Sequence, residues 1–83
     1  KTRGIGVIMI KIEVRYFATL RRDGVKKEIL STNKDKTAEE LIGDLGISMD
    51  DIAILLINGV RSEPDTVLKE GDVISMFPPV GGG

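Results

Sequence analysis

The chain has 83 residues and contains neither cysteine nor histidine. The absence of cysteine excludes disulfides, thiolate nucleophiles and thiolate metal sites. The absence of histidine removes the usual general base near neutral pH and the commonest zinc ligand. The lack of cysteine also agrees with a cytoplasmic protein, because disulfides are rare in that compartment.

An excess of one charge is also lacking, since 12 basic residues face 13 acidic ones and the net charge is −1. Nucleic acids and anionic membrane surfaces are bound through an excess of positive charge, so we expect neither as a partner. No apolar run reaches the length of a membrane span. A chain of this length forms one small domain, which buries only about 60% of the surface of its unfolded state.

The most informative stretch lies at the C-terminus and reads Phe77-Pro78-Pro79-Val80-Gly81-Gly82-Gly83. The two prolines fix φ at about −65° and favour extended backbone before them. The glycines carry no Cβ, so another protein can approach this backbone closely. The residues that follow Phe77 reach roughly 20 Å when extended. A stiff stalk with a slim, flexible tip suits insertion into a deep, narrow site on a partner.

The reactive group at this tip is the α-carboxylate of Gly83, which is ionised at about pH 7. A carboxylate is a poor electrophile, and it becomes an acyl donor only after a partner activates it, for example as an acyl-adenylate. A frayed terminus or a linker would also explain three glycines alone. Linkers are usually flexible and polar, however, whereas the segment from Phe77 to Val80 is stiff and apolar.

The first half of the chain predicts two strands joined by a turn. Residues 10–17 alternate between apolar and polar side chains, which indicates a half-buried strand with Phe17 as an aromatic on its polar face. Asp23-Gly24 predicts a hairpin turn, residues 25–31 the second strand and residues 32–36 a polar loop. The turn carries a basic cluster, interpreted either as a solvated loop or as a docking patch for an acidic partner: Arg21, Arg22, Lys26 and Lys27.

A short helix follows the polar loop. Thr37 and Glu40 fit a capping box at its start, and Gly46 is a natural stop. The helix carries an apolar stripe made of Ala38, Leu41, Ile42 and Leu45. Its acids Glu39, Glu40 and Asp44 are interpreted as a solvated face rather than as catalytic carboxylates.

The second half of the chain predicts three more strands. Residues 53–57 are apolar throughout, as in a central strand covered on both faces. Asn58-Gly59 predicts a two-residue hairpin turn to a short partner strand, and residues 73–77 form the last strand. The resulting order of elements favours the α+β class, with a mixed sheet and one helix packed across it.

The C-terminal stretch, with Leu68-Lys69-Glu70-Gly71-Asp72-Val73 before it, resembles the signature of the MoaD/ThiS sulfur carriers. These are ubiquitin-like β-grasp proteins, and the stretch is most similar to the MoaD branch, the small subunit of molybdopterin synthase. Residues 9–12 and 16–21 resemble the first strand and turn of that branch. The resemblance implies a β-grasp domain over residues 9–77 and a tail over 78–83. Residues 1–8 would be an extension or a cloning remnant.

The resemblance also implies a function in which the domain is a carrier and not an enzyme. An E1-like adenylating enzyme would use ATP to adenylate Gly83, and a persulfide donor would supply the sulfur of a C-terminal thiocarboxylate. The large subunit of molybdopterin synthase would then pass this sulfur to a pterin. The tail residues threaded into these partners would be Pro78, Pro79, Val80, Gly81 and Gly82. The carrier itself would bind no cofactor.

Three alternatives stay open. The same tail would serve a ubiquitin-like modifier of protein lysines or a sulfur donor for transfer RNA. A β-grasp binding module with an inert tail belongs to a different class. Gly81 departs from the pattern of many molybdopterin carriers, which have another residue before the final glycine pair.

The implied topology makes one geometric prediction. In a β-grasp the first and last strands are parallel neighbours, so Phe17 and Phe77 should lie together on the outer face, beside the start of the tail. Two exposed aromatic rings there would form a hot spot for a partner. The alternative is that one or both rings are buried in a local minicore.

Overall fold

Alternating side chains produce a five-stranded sheet with one helix across it. The computed structural model describes residues 8–21 and 24–79. The strands are β1 (Met9–Tyr16), β2 (Lys27–Asn33), β3 (Ile54–Ile57), β4 (Val60–Arg61) and β5 (Val73–Phe77), the helix is α1 (Ala38–Asp44), and two short 3-10 helices span Ala18–Leu20 and Met49–Asp51. Their order in the sheet is β2-β1-β5-β3-β4.

Strands β1 and β5 are parallel neighbours in the interior of this sheet, while the other neighbouring pairs are antiparallel. A parallel pair between the first and last strands, with a helix crossing one face, is the ubiquitin-like β-grasp topology. The predicted fold is therefore confirmed. Among the described residues, we find no helix with the length and apolar character needed to cross a membrane.

The core lies between the sheet and α1. The predicted inward face of β1 is confirmed, since Ile10, Ile12, Val14 and Tyr16 are all buried. The inward residues of β3 and β5 extend this layer of the sheet, and the helix stripe completes the core, with Leu55, Ile57, Ile74 and Met76 from the strands and Ala38, Leu41 and Ile42 from the helix. Among residues 8–21 and 24–79, α1 covers one face of the sheet and no second helix covers the other.

Local sequence signals fix both ends of α1. The Glu40 amide donates to Thr37 Oγ1 at 3.2 Å, and the Thr37 amide donates to Glu40 Oε1 at 2.9 Å, so the capping box is confirmed. At the other end Gly46 adopts φ +79°. The Ile47 amide donates back to the Ile42 carbonyl at 3.2 Å, as in a Schellman cap.

The predicted hairpin between β1 and β2 is present, since the two strands are antiparallel neighbours and Gly24 adopts φ +78°. Met9 pairs with Asn33 and Arg15 pairs with Lys27. The connection between the two strands is therefore longer than the segment between the predicted strands, residues 10–17 and 25–31. The connection includes the 3-10 helix Ala18–Leu20, whose Leu20 is buried in the core. β2 spans Lys27–Asn33 and not residues 25–31, so Thr32, which the sequence places in a loop, is a buried strand residue. Asp23 lies outside the described residues.

The prediction for residues 53–57 needs a correction. Strand β3 is not covered on both faces, because α1 packs on only one of them. Leu55 and Ile57 are buried, whereas Ile54 keeps 38% of its surface exposed on the outer face. The hairpin after β3 is confirmed, since Asn58 and Gly59 adopt φ +54° and +80°.

Candidate functional site at the root of the tail

The end of β5 places Phe77 against Phe17. Their ring centroids are 4.2 Å apart and the ring planes are 17° from parallel. Tyr16 pairs with Met76 at the end of the parallel ladder, and the Phe17 amide donates to the Met76 carbonyl at 3.3 Å. The two aromatic residues therefore leave adjacent strands side by side, which confirms the predicted contact.

A backbone turn follows Phe17 immediately. Phe17 is extended at φ −117° and ψ 144°, whereas Ala18 adopts φ +52°. A residue with a Cβ reaches this left-handed region at a cost of roughly 1–2 kcal/mol. The turn starts the 3-10 helix that buries Leu20 in the core. Backbone strain of this kind is often found at functional sites.

Around the stacked rings lies a surface that we call the aromatic patch, made of Phe17, Phe77, Ile54 and Pro78. Ala18, Thr19 and Pro79 complete the lining of a concavity of about 450 Å³ there. Both phenylalanines are half-buried, so they stack on each other without leaving the surface. Ile54 pairs with Phe77 in the sheet register and was not predicted from the sequence. The sequence indicates Ile54 only indirectly. Residues 53–57 are all apolar, although a strand covered on one face needs apolar residues only at alternate positions.

The tail starts at this patch. Pro78 is half-buried and Pro79 is exposed, directly after the last residue of β5. Val80, Gly81, Gly82 and Gly83 lie outside the described residues, so their predicted roles remain predictions. The same holds for a partner-binding role of Phe17 and Phe77, because the contact between the rings does not by itself identify a partner.

The carboxylates of α1 are held by local contacts. The capping-box bonds from Thr37 lower the pKa of Glu40, and the hydrogen bond to Asp44 raises the pKa of Lys36. Lys36 Nζ lies 2.7 Å from Asp44 Oδ2. No group of three or more metal-binding side chains is found in residues 8–21 and 24–79. Glu39, Glu40 and Asp44 are all exposed, which agrees with their interpretation as a solvated helix face.

Comparison with known proteins identifies the family. The sequence profile of the ThiS family matches residues 14–83. The chain belongs to the ThiS family. The match spans the described domain from the middle of β1 to the C-terminus, so it includes the tail as well as the fold.

Two similar proteins come from Haloferax volcanii. The chain is 29% identical to small archaeal modifier protein 3 of Haloferax volcanii, in an alignment covering 89% of this chain and all of that protein. It resembles the solution structure of the HVO 2177 protein of the same organism, with a TM-score of 0.77 and 27% identity over 100% of this chain and 94% of that one.

Two further similar structures are described as subunits of molybdopterin-converting factors. A putative molybdopterin converting factor subunit 1 from Pyrococcus furiosus has a TM-score of 0.69 and 28% identity, covering 86% of this chain and 99% of that one. A complex of subunits 1 and 2 of the molybdopterin-converting factor from Helicobacter pylori gives a TM-score of 0.61 and 28% identity, covering 89% and 100%.

Proposed function

We propose that this ThiS-family protein is a carrier whose Gly83 carboxylate is activated by a partner enzyme. One observation carries the proposal: β5 runs directly into Pro78 beside the half-exposed Phe17–Phe77 stack. A partner can therefore hold the aromatic patch while it takes the tail into its own active site. The domain supplies recognition and presentation, and the partner supplies the catalysis.

The chemistry starts at the carboxylate. A Gly83 oxygen attacks the α-phosphorus of ATP in an E1-like enzyme, and pyrophosphate leaves. The terminal sulfur of a persulfide donor then attacks the acyl carbon, and AMP leaves. A thiol reduces the S–S bond of the resulting acyl disulfide and leaves a thiocarboxylate on Gly83. Glycine suits each step, because a side chain at Gly82 or Gly83 would widen the tip that must enter the site.

Two acceptors are candidates, one for the acyl group of Gly83 and one for the sulfur of its thiocarboxylate. The modifier relative favours the amine of a protein lysine, which would form an amide with Gly83. The two subunit 1 structures favour sulfur transfer to a molybdopterin precursor, and one of them is bound to its second subunit. In the second case the partner would be a large synthase subunit. Both acceptors act after the same activation step, in the cytoplasm where ATP is available.

Intact-mass spectrometry tests the shared step. The chain is incubated with an E1-like enzyme, ATP and sulfide, and the enzyme is first shown to be active on another carrier. We expect the mass of a product in which one oxygen is replaced by sulfur, localised to Gly83. A matched variant with one alanine added after Gly83 should stay unconverted. Conversion of the extended variant, or no conversion of the native chain, would contradict the proposal.

A second measurement separates the acceptors. The activated chain is offered either a lysine-containing target protein or a large synthase subunit with the pterin precursor. A Gly83–lysine amide, detected as a branched peptide, assigns the modifier role. Loss of the thiocarboxylate together with formation of molybdopterin assigns the synthase role.

A further inference from the structure

Four cationic side chains surround a concave pocket beside the aromatic patch. They are Arg15, Arg21, Lys26 and Lys27, and the pocket has a volume of about 270 Å³. Tyr16 and Phe17 complete its lining, so it shares Phe17 with the aromatic patch. Three of these cations belong to the basic cluster seen in the sequence, and the sheet register adds Arg15. Arg22, the other member of that cluster, lies outside the described residues.

The sheet register places two of these cations against each other. Arg15 is directly opposite Lys27 in the antiparallel pair of β1 and β2. The Tyr16 amide donates to the Lys26 carbonyl at 2.8 Å, so the neighbouring Arg15–Lys27 position is of the non-hydrogen-bonded type. Cross-strand side chains approach most closely at such positions, and like charges there destabilise the sheet. The formation of the sheet therefore does not explain why Arg15 and Lys27 lie opposite each other.

Nearby acids offset only part of this charge. Arg15 Nε donates to Glu13 Oε2 at 2.6 Å, and this hydrogen bond lowers the pKa of the Glu13 carboxyl. Glu28, between Lys27 and Ile29 on β2, accepts a hydrogen bond from Tyr16 at 2.5 Å. Arg21 Nε donates to the Tyr16 carbonyl at 3.1 Å, which holds its guanidinium at the pocket. Positive charge is thus concentrated here in a chain of net charge −1.

We propose that this pocket binds carboxylate side chains of the protein that holds the aromatic patch, an inference that rests on the proposed function. Arginine and lysine bind carboxylates through charge-assisted hydrogen bonds. The shared wall at Phe17 allows one partner surface to cover both features. A net charge of −1 gives no excess of positive charge of the kind that binds a continuous phosphate backbone, whereas a few carboxylates need only the local cations of this pocket. An acidic protein segment fits this arrangement better than a nucleic acid.

The test uses the full chain and a defined probe. An acetylated and amidated hexaglutamate peptide is titrated into the 15N-labelled protein, and amide shifts are followed by NMR. We expect the largest shifts at Arg15, Phe17, Arg21, Lys26 and Lys27. Lys27→Gln should weaken peptide binding about threefold, as expected for one exposed ion pair, and should raise the thermal midpoint. The matched control is Lys34→Gln, which removes the same charge outside the pocket.

Specific outcomes would overturn the proposal. An equal loss of affinity in Lys34→Gln would indicate non-specific attraction to any lysine. Stronger binding of inorganic pyrophosphate than of the peptide, with the same shifts, would assign the pocket to phosphate. Unchanged peptide binding in Lys27→Gln would exclude the pocket. The titration involves neither ATP nor tail activation, so its failure and a failure of Gly83 activation are separate results.

Discussion

The ring of Phe17 stacks on the ring of Phe77 at 4.2 Å, and this contact joins the ends of the parallel strands β1 and β5. Phe77, the last strand residue before the tail, is therefore held by Phe17, which directly follows the first strand. Because both rings are half-buried on the outer face of the sheet, they pack against each other at the start of the tail and keep part of their surface exposed.

Phe77→Ala should weaken binding to the activating enzyme. Aromatic anchors at the centre of an interface are worth about 2 kcal/mol or more when truncated, whereas the stack adds about 0.5–1.5 kcal/mol to folding. Isothermal titration calorimetry measures the first effect and thermal unfolding the second. Ile29→Ala is the control, because Ile29 is 69% exposed on β2, away from the tail. Equal losses of affinity in both variants would exclude the aromatic patch as the anchor.

Ala18→Gly should stabilise the fold slightly. Glycine removes the cost of φ +52°, roughly 1–2 kcal/mol, and adds about 0.4–1 kcal/mol of entropy to the unfolded chain. The expected net gain is about 0.5–1 kcal/mol in the free energy of unfolding, measured by urea denaturation. Ala53→Gly, at an exposed position without positive φ, should instead lose stability. A loss in both variants would indicate that Ala18 is not strained.

How far the sequence predicts this structure depends on whether the deciding contacts are local. The capping box at Thr37 and the hairpin at Asn58-Gly59 involve neighbouring residues, and both are confirmed. The hairpin between β1 and β2 is also present, but its second strand runs from Lys27 to Asn33 and not over residues 25–31. Turn chemistry predicts a conformation, but the register of β1 and β2 also depends on core packing.

In the candidate site, too, the contacts that the sequence alone does not predict are those between distant residues. The contact between Phe17 and Phe77 was predicted only because the resemblance supplied a parallel pairing of the first and last strands. Ile54 was missed, since an apolar run does not reveal which face a single helix leaves open. Arg15 was missed as a member of the basic pocket, because its place opposite Lys27 depends on the strand register.

Glu40→Gln should reduce the loss of stability in acid. Hydrogen bonds from Thr37 lower the pKa of Glu40 in the folded state, below its ordinary value of 4.5. Its contribution is therefore present above pH 4.5 and is lost as the pH falls through the lowered folded pKa. Glutamine can keep the capping bond but does not titrate.

Thermal midpoints measured from about pH 7 to pH 3 test this effect. We expect the thermal midpoint to decrease less with falling pH in Glu40→Gln than in the native chain. Glu39→Gln is the matched control, because Glu39 lies on the same helix turn outside the capping box. If the thermal midpoint of Glu40→Gln decreases with falling pH as much as that of the native chain, the capping carboxylate does not contribute to the pH dependence of stability.

Deletion of Gly82 and Gly83 should abolish activation and leave the domain folded. The buried core ends at Met76, and the sheet ends at Phe77, so the deleted residues lie beyond both. Circular dichroism and thermal unfolding should match the native chain, while incubation with the activating enzyme, ATP and sulfide should give no sulfur-containing product. A comparison with Phe77→Ala separates the two roles, because that variant keeps the carboxylate and should react when the enzyme is in large excess. Loss of the folded state on deletion would contradict the division between a presenting domain and a reactive tail.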